Sequence, residues 1–237
     1  TLTVADNAFS YSSQDHSGSV YIRNPDVWSA GVDLTGIAPY TGGNTKGSTR
    51  TLITPRHVLG CAHWMVGVGS QIRFVAADNT VVTRTITSRI RHPDYTPYYP
   101  DLVIYALDSD VPSSISPFRL IDSNWKDFWP GAVSGADLDL RRAAQLPGMR
   151  HDQEEKILIA DFSNRASNFQ NSSDPDRAIF GESIILYDSG NPAFVLVEGE
   201  ALLTTVWTGG GAGSGTGISA YFSNFTPSSG LSMVEDL

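Results

Sequence analysis

A serine hydroxyl attacks a carbonyl only when a nearby base takes its proton and hydrogen-bond donors receive the charge left on the oxygen. The residue types for that chemistry occur here in one chain order: His63, Asp101 and Ser189, at spacings of 38 and 88 residues (63 to 101 to 189). Ser189 lies in "YDSGNP", and the glycine after it lets the backbone turn tightly and leaves the hydroxyl accessible. Taken alone, the tripeptide reads equally well as an ordinary turn. Asp101 follows Pro100 and opens the apolar run "DLVIYAL", where it is either a histidine's partner or a strand-start cap. Asp94, in a Pro- and Tyr-rich loop, is the second candidate for the acidic partner. The stretch "TLITPRHVLGCAHW" (51–64) holds two of the five histidines, His57 and His63. A two-histidine zinc site needs helical i, i+4 spacing or a third ligand, and a six-residue gap supplies neither. His16, His92 and His151 have no partner signature and read as surface residues. Nothing beside Cys61 would stabilise a thiolate, so it reads as a buried, inert thiol.

Three segments carry more information than these single residues. "LITPRHVLGCAHW", "DLVIYALDSDVP" and "YDSGNPAFVLV" resemble the signature blocks of the trypsin/chymotrypsin-like serine proteases, in generic form "LI-x-x-x-x-VLTAAHC", "DIAL-x-x-L-x-x-x-VP" and "GDSGGPL". The resemblance spans roughly residues 45 to 225 and is closest in look to disulfide-free bacterial secreted members. Laying "VLGCAHW" on the first block selects His63 and also matches "LITPR" to the strand before it; the register that selects His57 explains fewer residues and leaves His57 as a strand residue.

The resemblance implies a serine endopeptidase acting on peptide or protein substrates, secreted or periplasmic, without cofactor or metal. Its fold would be all-β, two antiparallel Greek-key β-barrels with the active site between them. His63 would be the base, Asp101 the residue that fixes its tautomer, and Ser189 the nucleophile. The oxyanion hole would be the backbone N–H groups of Ser189 and Tyr187. The family has glycine at the latter position; a tyrosine keeps the donor, narrows the leaving-group side and works against the peptide orientation that aims the N–H.

Substrate contacts follow by the same mapping. Ser183 implies a neutral pocket, Ile184, Ile185 and Leu186 an apolar entrance, Trp207, Thr208 and Gly209 an edge strand for an extended peptide, and Gly217 a pocket glycine, favouring apolar or aromatic side chains before the scissile bond. Asp188, which in the family pairs with an N-terminus released by cleavage, is expected to find another partner, since "TLTV" is not that kind of terminus. Trp64 stands where the family has a cysteine and Ser48 near its disulfide partner's place, so packing is expected to replace that bridge. The short "AADNTV" hairpin leaves no room for the family's calcium loop. An esterase-type hydrolase on the same site, or a non-catalytic binding module, are the alternatives. An α/β-hydrolase would need Gly-x-Ser-x-Gly and the order Ser, Asp, His.

The elements that must hold these residues are short strands. The 237 residues are 41% hydrophobic and only 17% charged, with 22 Gly and 13 Pro, which suits many strands joined by turns. "QIRFVAADNTVVTRTITSRI" reads as a hairpin turning at Asp78 and Asn79, and "LVEGEALL" as one centred on Glu198 to Glu200. "DLVIYAL", "KILIADFS", "SIILYDSG", "PAFVLVEGEALLTTVW" and "GISAYF" are further strand candidates, and "ADLDLRRAAQL" (136–146) is the best helix candidate. "DSDVPSSISPF" reads as a linker, and "TGGGAGSG" (208–215) as a flexible turn, since it lacks the Lys and Ser/Thr of a phosphate loop. The division expected is an exposed arm (1–18), a first barrel (19–112), a second barrel (113–225) and a tail (226–237), with 40–49 an exposed loop.

A formal charge of -9 offers nothing to phosphate backbones or anionic lipid, so nucleic acid is an unexpected partner. No uninterrupted apolar run approaches 18 residues, so no membrane span is expected. A single cysteine excludes an internal disulfide and a Cys-rich zinc site. The chain opens on Thr1 and not on Met, which fits a processed mature protein or a trimmed chain equally well.

Overall fold

The computed structural model describes residues 8–14, 20–39, 49–93, 101–120, 146–163, 168–170, 172, 174–182, 187–210 and 217–219, with only the backbone at 146–147, 162–163, 168–170, 208–210 and 217–219. These residues are nearly all β. In chain order the strands are β1 (Tyr11–Gln14), β2 (Tyr21–Arg23), β3 (Ile37–Ala38), β4 (Arg50–Thr54), β5 (His57–Cys61), β6 (Gln71–Val75), β7 (Val81–Arg91), β8 (Leu102–Leu107), β9 (Leu146–His151), β10 (Ile157–Ser163), β11 (Asn168–Gln170), β12 (Pro192–Val197), β13 (Glu200–Gly210) and β14 (Gly217–Ser219). One short helix, α1 (Pro175–Ala178), is capped by Asp174, whose side chain accepts from the Asp176 N–H.

The first half forms a six-stranded sheet in the order β3-β4-β5-β8-β7-β6, and the second a nearly closed six-strand barrel in the order β10-β11-β14-β13-β12-β9. All the neighbouring pairs are antiparallel.

The run "LVIYAL" is apolar without alternation because β8 is buried on both faces. Leu102 and Ile104 join a core shared with the second half, where Met149, Ile157, Phe194, Leu203 and Val206 meet them. Val103, Tyr105 and Leu107 point the other way, into the first sheet's own core with Leu52, Val58, Ile72 and Phe74. β5 alternates in the same manner, Val58 into one core and Leu59 into the other. The two-residue period of a strand thus assigns neighbouring side chains to different cores. The segment expected as a linker has no strand, yet its apolar residues Val111, Ile115 and Phe118 are buried in these same cores.

The β6–β7 hairpin turns where the sequence indicates. Asn79 has φ of 70°, and the Asp78 carboxylate accepts from the Thr80 N–H at 3.0 Å. β12 and β13 turn at Glu198 and Gly199, with φ of 53° and 86°, the paired positive values of a two-residue hairpin.

Several expectations need correction. His92 and His151 are not surface residues: both are buried, and His151 Nε2 lies 3.0 Å from the equally buried Glu155 carboxylate. The described part of the N-terminal arm is not irregular, and it is only partly exposed, at Ser12 and Ser13. β1 pairs with β2, Ala8 and Tyr11 are buried, and Ser10 N–H donates to Glu155 O while Ile157 N–H donates to Ala8 O. Thr49, at the end of the expected exposed loop, is buried. The helix expected over 136–146 lies outside the described residues except Leu146, which opens β9. The strand expected at "SIIL" (183–186) also lies outside them.

Candidate active site

Strand pairing brings the first two site residues together. β5 and β8 are antiparallel with Cys61 opposite Leu102, so the chain leaving β5 runs beside the chain entering β8. Ala62 N–H donates to Asp101 O at 3.1 Å, and His63 N–H donates to Asp101 Oδ1 at 2.7 Å. The other carboxylate oxygen, Oδ2, is hydrogen-bonded to His63 Nδ1. Asp101 is therefore no simple strand cap: one oxygen fixes the histidine's backbone and the other its ring.

Ser189 arrives from the second half, on the turn that precedes β12. Gly190 N–H donates to Trp207 O at 2.7 Å, Trp207 N–H to Asn191 O at 2.9 Å and Asn191 N–H to Asp188 O at 3.0 Å. A further bond ties this turn to the first half, from Thr49 N–H to Asn191 Oδ1 at 3.3 Å. Ser189 Oγ lies 2.9 Å from His63 Nε2. With the proton on Nδ1, the ring donates to Asp101 and accepts from the serine, the arrangement that general-base activation of a hydroxyl requires. Asp101 is 4% exposed at its side chain and His63 33%, so the carboxylate is sheltered while the imidazole is partly open to solvent. The hydrogen bond to the Asp101 carboxylate, with a smaller contribution from Cys61, holds the His63 pKa well above the usual imidazole value, and burial opposes this.

His57 stands apart, on β5, its Nδ1 2.8 Å from Thr54 Oγ1. Burial and the nearby Arg56 lower its pKa. Asp94 lies outside the described residues, as do His16, Ser48, Ser183, Ile184, Ile185 and Leu186. Cys61 is buried and free.

Tyr187 has φ of 89°, a value that costs a non-glycine residue on the order of 1–3 kcal/mol. Its ring meets that of Trp64 edge to face, with centroids 5.3 Å apart and planes at 88°, a geometry worth about 0.5–1.5 kcal/mol. The two residues that depart most from the resembled blocks are thus in contact with each other. Trp64 is itself held from behind: Arg50, buried, donates from Nη2 to Trp64 O at 2.9 Å and from Nη1 to Thr49 O at 2.9 Å, and lies 5.3 Å from the centre of the Tyr105 ring. Gly60 makes room for it, since a Cβ there would come within 2.9 Å of Arg50 Cδ. A bridging arginine was not foreseen; the one signal in the sequence was a charged residue inside the otherwise apolar and β-branched "TRTLIT".

Asp188 is buried, and its Oδ1 accepts from the Gln153 N–H at 3.0 Å, so it does find a partner, in the turn between β9 and β10. Arg150 lies behind it, buried, 5.6 Å from the centre of the Trp207 ring and hydrogen-bonded to Glu182 O. Burial lowers the Arg150 pKa, while the negative charges of Asp188, Asp152 and Glu182 act against that. Asp152, Glu154 and Glu182 bring their carboxylates within 4.8 Å of one another. The Lys156 ammonium occupies this cluster, 2.7 Å from Glu154 and 2.9 Å from Glu182, and already supplies its positive charge.

Trp207 is fully buried, and both its backbone groups are taken by Gly190 and Asn191. Beyond it the backbone pairs Gly209 with Ile218 and Gly210 with Gly217. No protein-family model matches the chain, and no curated protein matches it.

Proposed function

We propose that this chain is a serine endopeptidase of the trypsin/chymotrypsin-like kind, exported from the cell, with two Greek-key barrels meeting at the site. The observation that carries the proposal is the continuous chain from Asp101 through His63 to Ser189, with Nε2 and Oγ 2.9 Å apart. Strand pairing accounts for His63 beside Asp101, but it gives no reason for Ser189, from the other half, to meet His63 Nε2. A core or surface role would leave His63 without the pairing on both ring nitrogens.

In the reaction, Ser189 Oγ attacks the carbonyl carbon as its proton passes to His63 Nε2, and the carbonyl oxygen takes the negative charge. Asp101 stabilises the imidazolium that forms. His63 then gives the proton to the leaving amine, the C–N bond breaks, and the acyl group stays on Ser189. Water, deprotonated by the same nitrogen, releases the acid and restores the serine. The backbone N–H groups of Tyr187 and Ser189 serve as oxyanion donors. The positive φ of Tyr187 is one a glycine would take there, so the substitution has not forced the backbone into an ordinary extended form. An extended substrate would pair with the backbone from Thr208 onward, because Trp207 is already engaged with the serine turn. Ser183, Leu186 and Gly217 complete the proposed neutral pocket.

The test is mass spectrometry after exposure to a fluorophosphonate, which phosphonylates only activated serines, with loss of fluoride. Stoichiometric labelling of Ser189 is expected, and its disappearance in His63→Ala. A folded protein left unlabelled would rule the hydrolase reading out.

A further inference from the structure

From Asp188 onward the serine turn is held by identifiable bonds: Gln153 N–H to Asp188 Oδ1, Asn191 N–H to Asp188 O and Gly190 N–H to Trp207 O. Tyr187 stands just before that anchored stretch, in a backbone conformation its own side chain disfavours. What its side chain meets is Trp64, the residue directly after the base, whose carbonyl is pinned by the buried Arg50. The ring pair offsets part of the strain at Tyr187, so its loss shifts the balance between backbone states.

We propose that Trp64 is a positioning residue for the oxyanion site: its ring holds Tyr187 at positive φ, doing by aromatic contact what a glycine would do by conformational freedom. The inference rests on the hydrolase reading, because it assigns a purpose to the Tyr187 N–H. It also gives the two departures a common origin. A tyrosine at this position needs an aromatic partner across the cleft, and the position after the base supplies one. Tryptophan offers the largest edge-to-face surface for that contact.

The test is a double-substitution cycle read two ways. The first reading is the rate at which a fluorophosphonate labels Ser189, since its phosphoryl oxygen occupies the oxyanion position. Trp64→Ala should slow labelling by about 2- to 10-fold, the population shift that loss of one edge-to-face ring pair commands. In the Tyr187→Gly background the same Trp64→Ala change should alter the rate by less than about 1.5-fold, because glycine needs no support. Trp64→Phe should retain most of the wild-type rate. The second reading does not depend on activity: the intraresidue amide-to-Hα nuclear Overhauser effect of Tyr187, strong only at positive φ, should be strong in the wild type and weaken in Trp64→Ala. A persistently strong effect in Trp64→Ala, or an equal loss of rate in both backgrounds, would overturn the proposal. A wild type that shows the strong effect but takes no label would sink the hydrolase reading while leaving the positioning role standing.

Discussion

His63 carries the greatest chemical demand of any single residue here, because its two nitrogens must perform different tasks. The Asp101 carboxylate raises its pKa, so the base form needed for attack predominates only above the ordinary imidazole range of about 6.5. Labelling of Ser189 should therefore rise with pH through a midpoint above that value. In Asp101→Asn the midpoint should fall toward about 6.5 and the plateau rate drop by about 10⁴-fold, since the ring loses both its charge partner and its preferred tautomer. A midpoint unmoved by the substitution would show that something other than Asp101 sets the histidine's basicity. The linkage to stability runs in the opposite sense. A histidine whose folded pKa is raised contributes stability that is fully present below the unfolded value and is lost as pH rises through the folded one.

At the scale of elements, β5 and β8 do the positioning, and the start of β4 braces the loop between them and the cleft. Arg50 is the brace. It is buried, its guanidinium joins the carbonyls of Thr49 and Trp64, and it lies over the Tyr105 ring. The expectation that packing alone replaces a disulfide at this place is therefore incomplete, because a charged hydrogen-bonding group spans the gap. Arg50→Met keeps much of the volume but leaves one buried and one part-buried carbonyl without their donor, and should cost about 2–4 kcal/mol. Chemical denaturation measures this, and a loss below about 0.5 kcal/mol would mean that the carbonyls find other donors. The variant should also slow labelling, since Trp64 would lose its rear support.

At the scale of the whole molecule, the arm, the β9–β10 turn and the serine turn form one continuous buried polar region. Ser10 bonds the turn at Glu155, Gln153 bonds Asp188, and Asp188 precedes the serine. Asp152 sits in this region with its pKa raised to about 6, chiefly by burial, against the lowering effect of its hydrogen bond from Lys156. A carboxylate whose folded pKa exceeds its unfolded value of about 3.9 binds more protons when folded between those limits. It therefore lowers stability as pH rises from about 4 to 6, by about 3 kcal/mol in all. Asp152 Oδ1 accepts from the Glu154 and Lys156 N–H groups, and an asparagine keeps that oxygen. Asp152→Asn should therefore stabilise the protein at pH 7 and change little at pH 4, as thermal melts at the two values would reveal. Equal melting shifts at both would exclude this titration as the source.

The sequence by itself determined the local events: β-branched runs became strands, Asp78 with Asn79 and Glu198 with Gly199 became turns, and the unbroken apolar run after Asp101 became a strand buried on both faces. His63, Asp101 and Ser189 were picked out through the resemblance of their three segments to the blocks of a protease family, and the structure brings the three side chains together. Only the tertiary structure decided how far apart they stand, what lies behind them and which other residues matter. His92 and His151 show why, since neither carries a local mark of burial and both are buried in the fold. Arg50 under Trp64, Gln153 under Asp188 and Trp64 against Tyr187 join positions 14, 35 and 123 residues apart (50 to 64, 153 to 188, 64 to 187). Contacts of that kind have no period and no local signature; they come into being only when segments distant along the chain are brought together by strand pairing or by the packing of the two sheets.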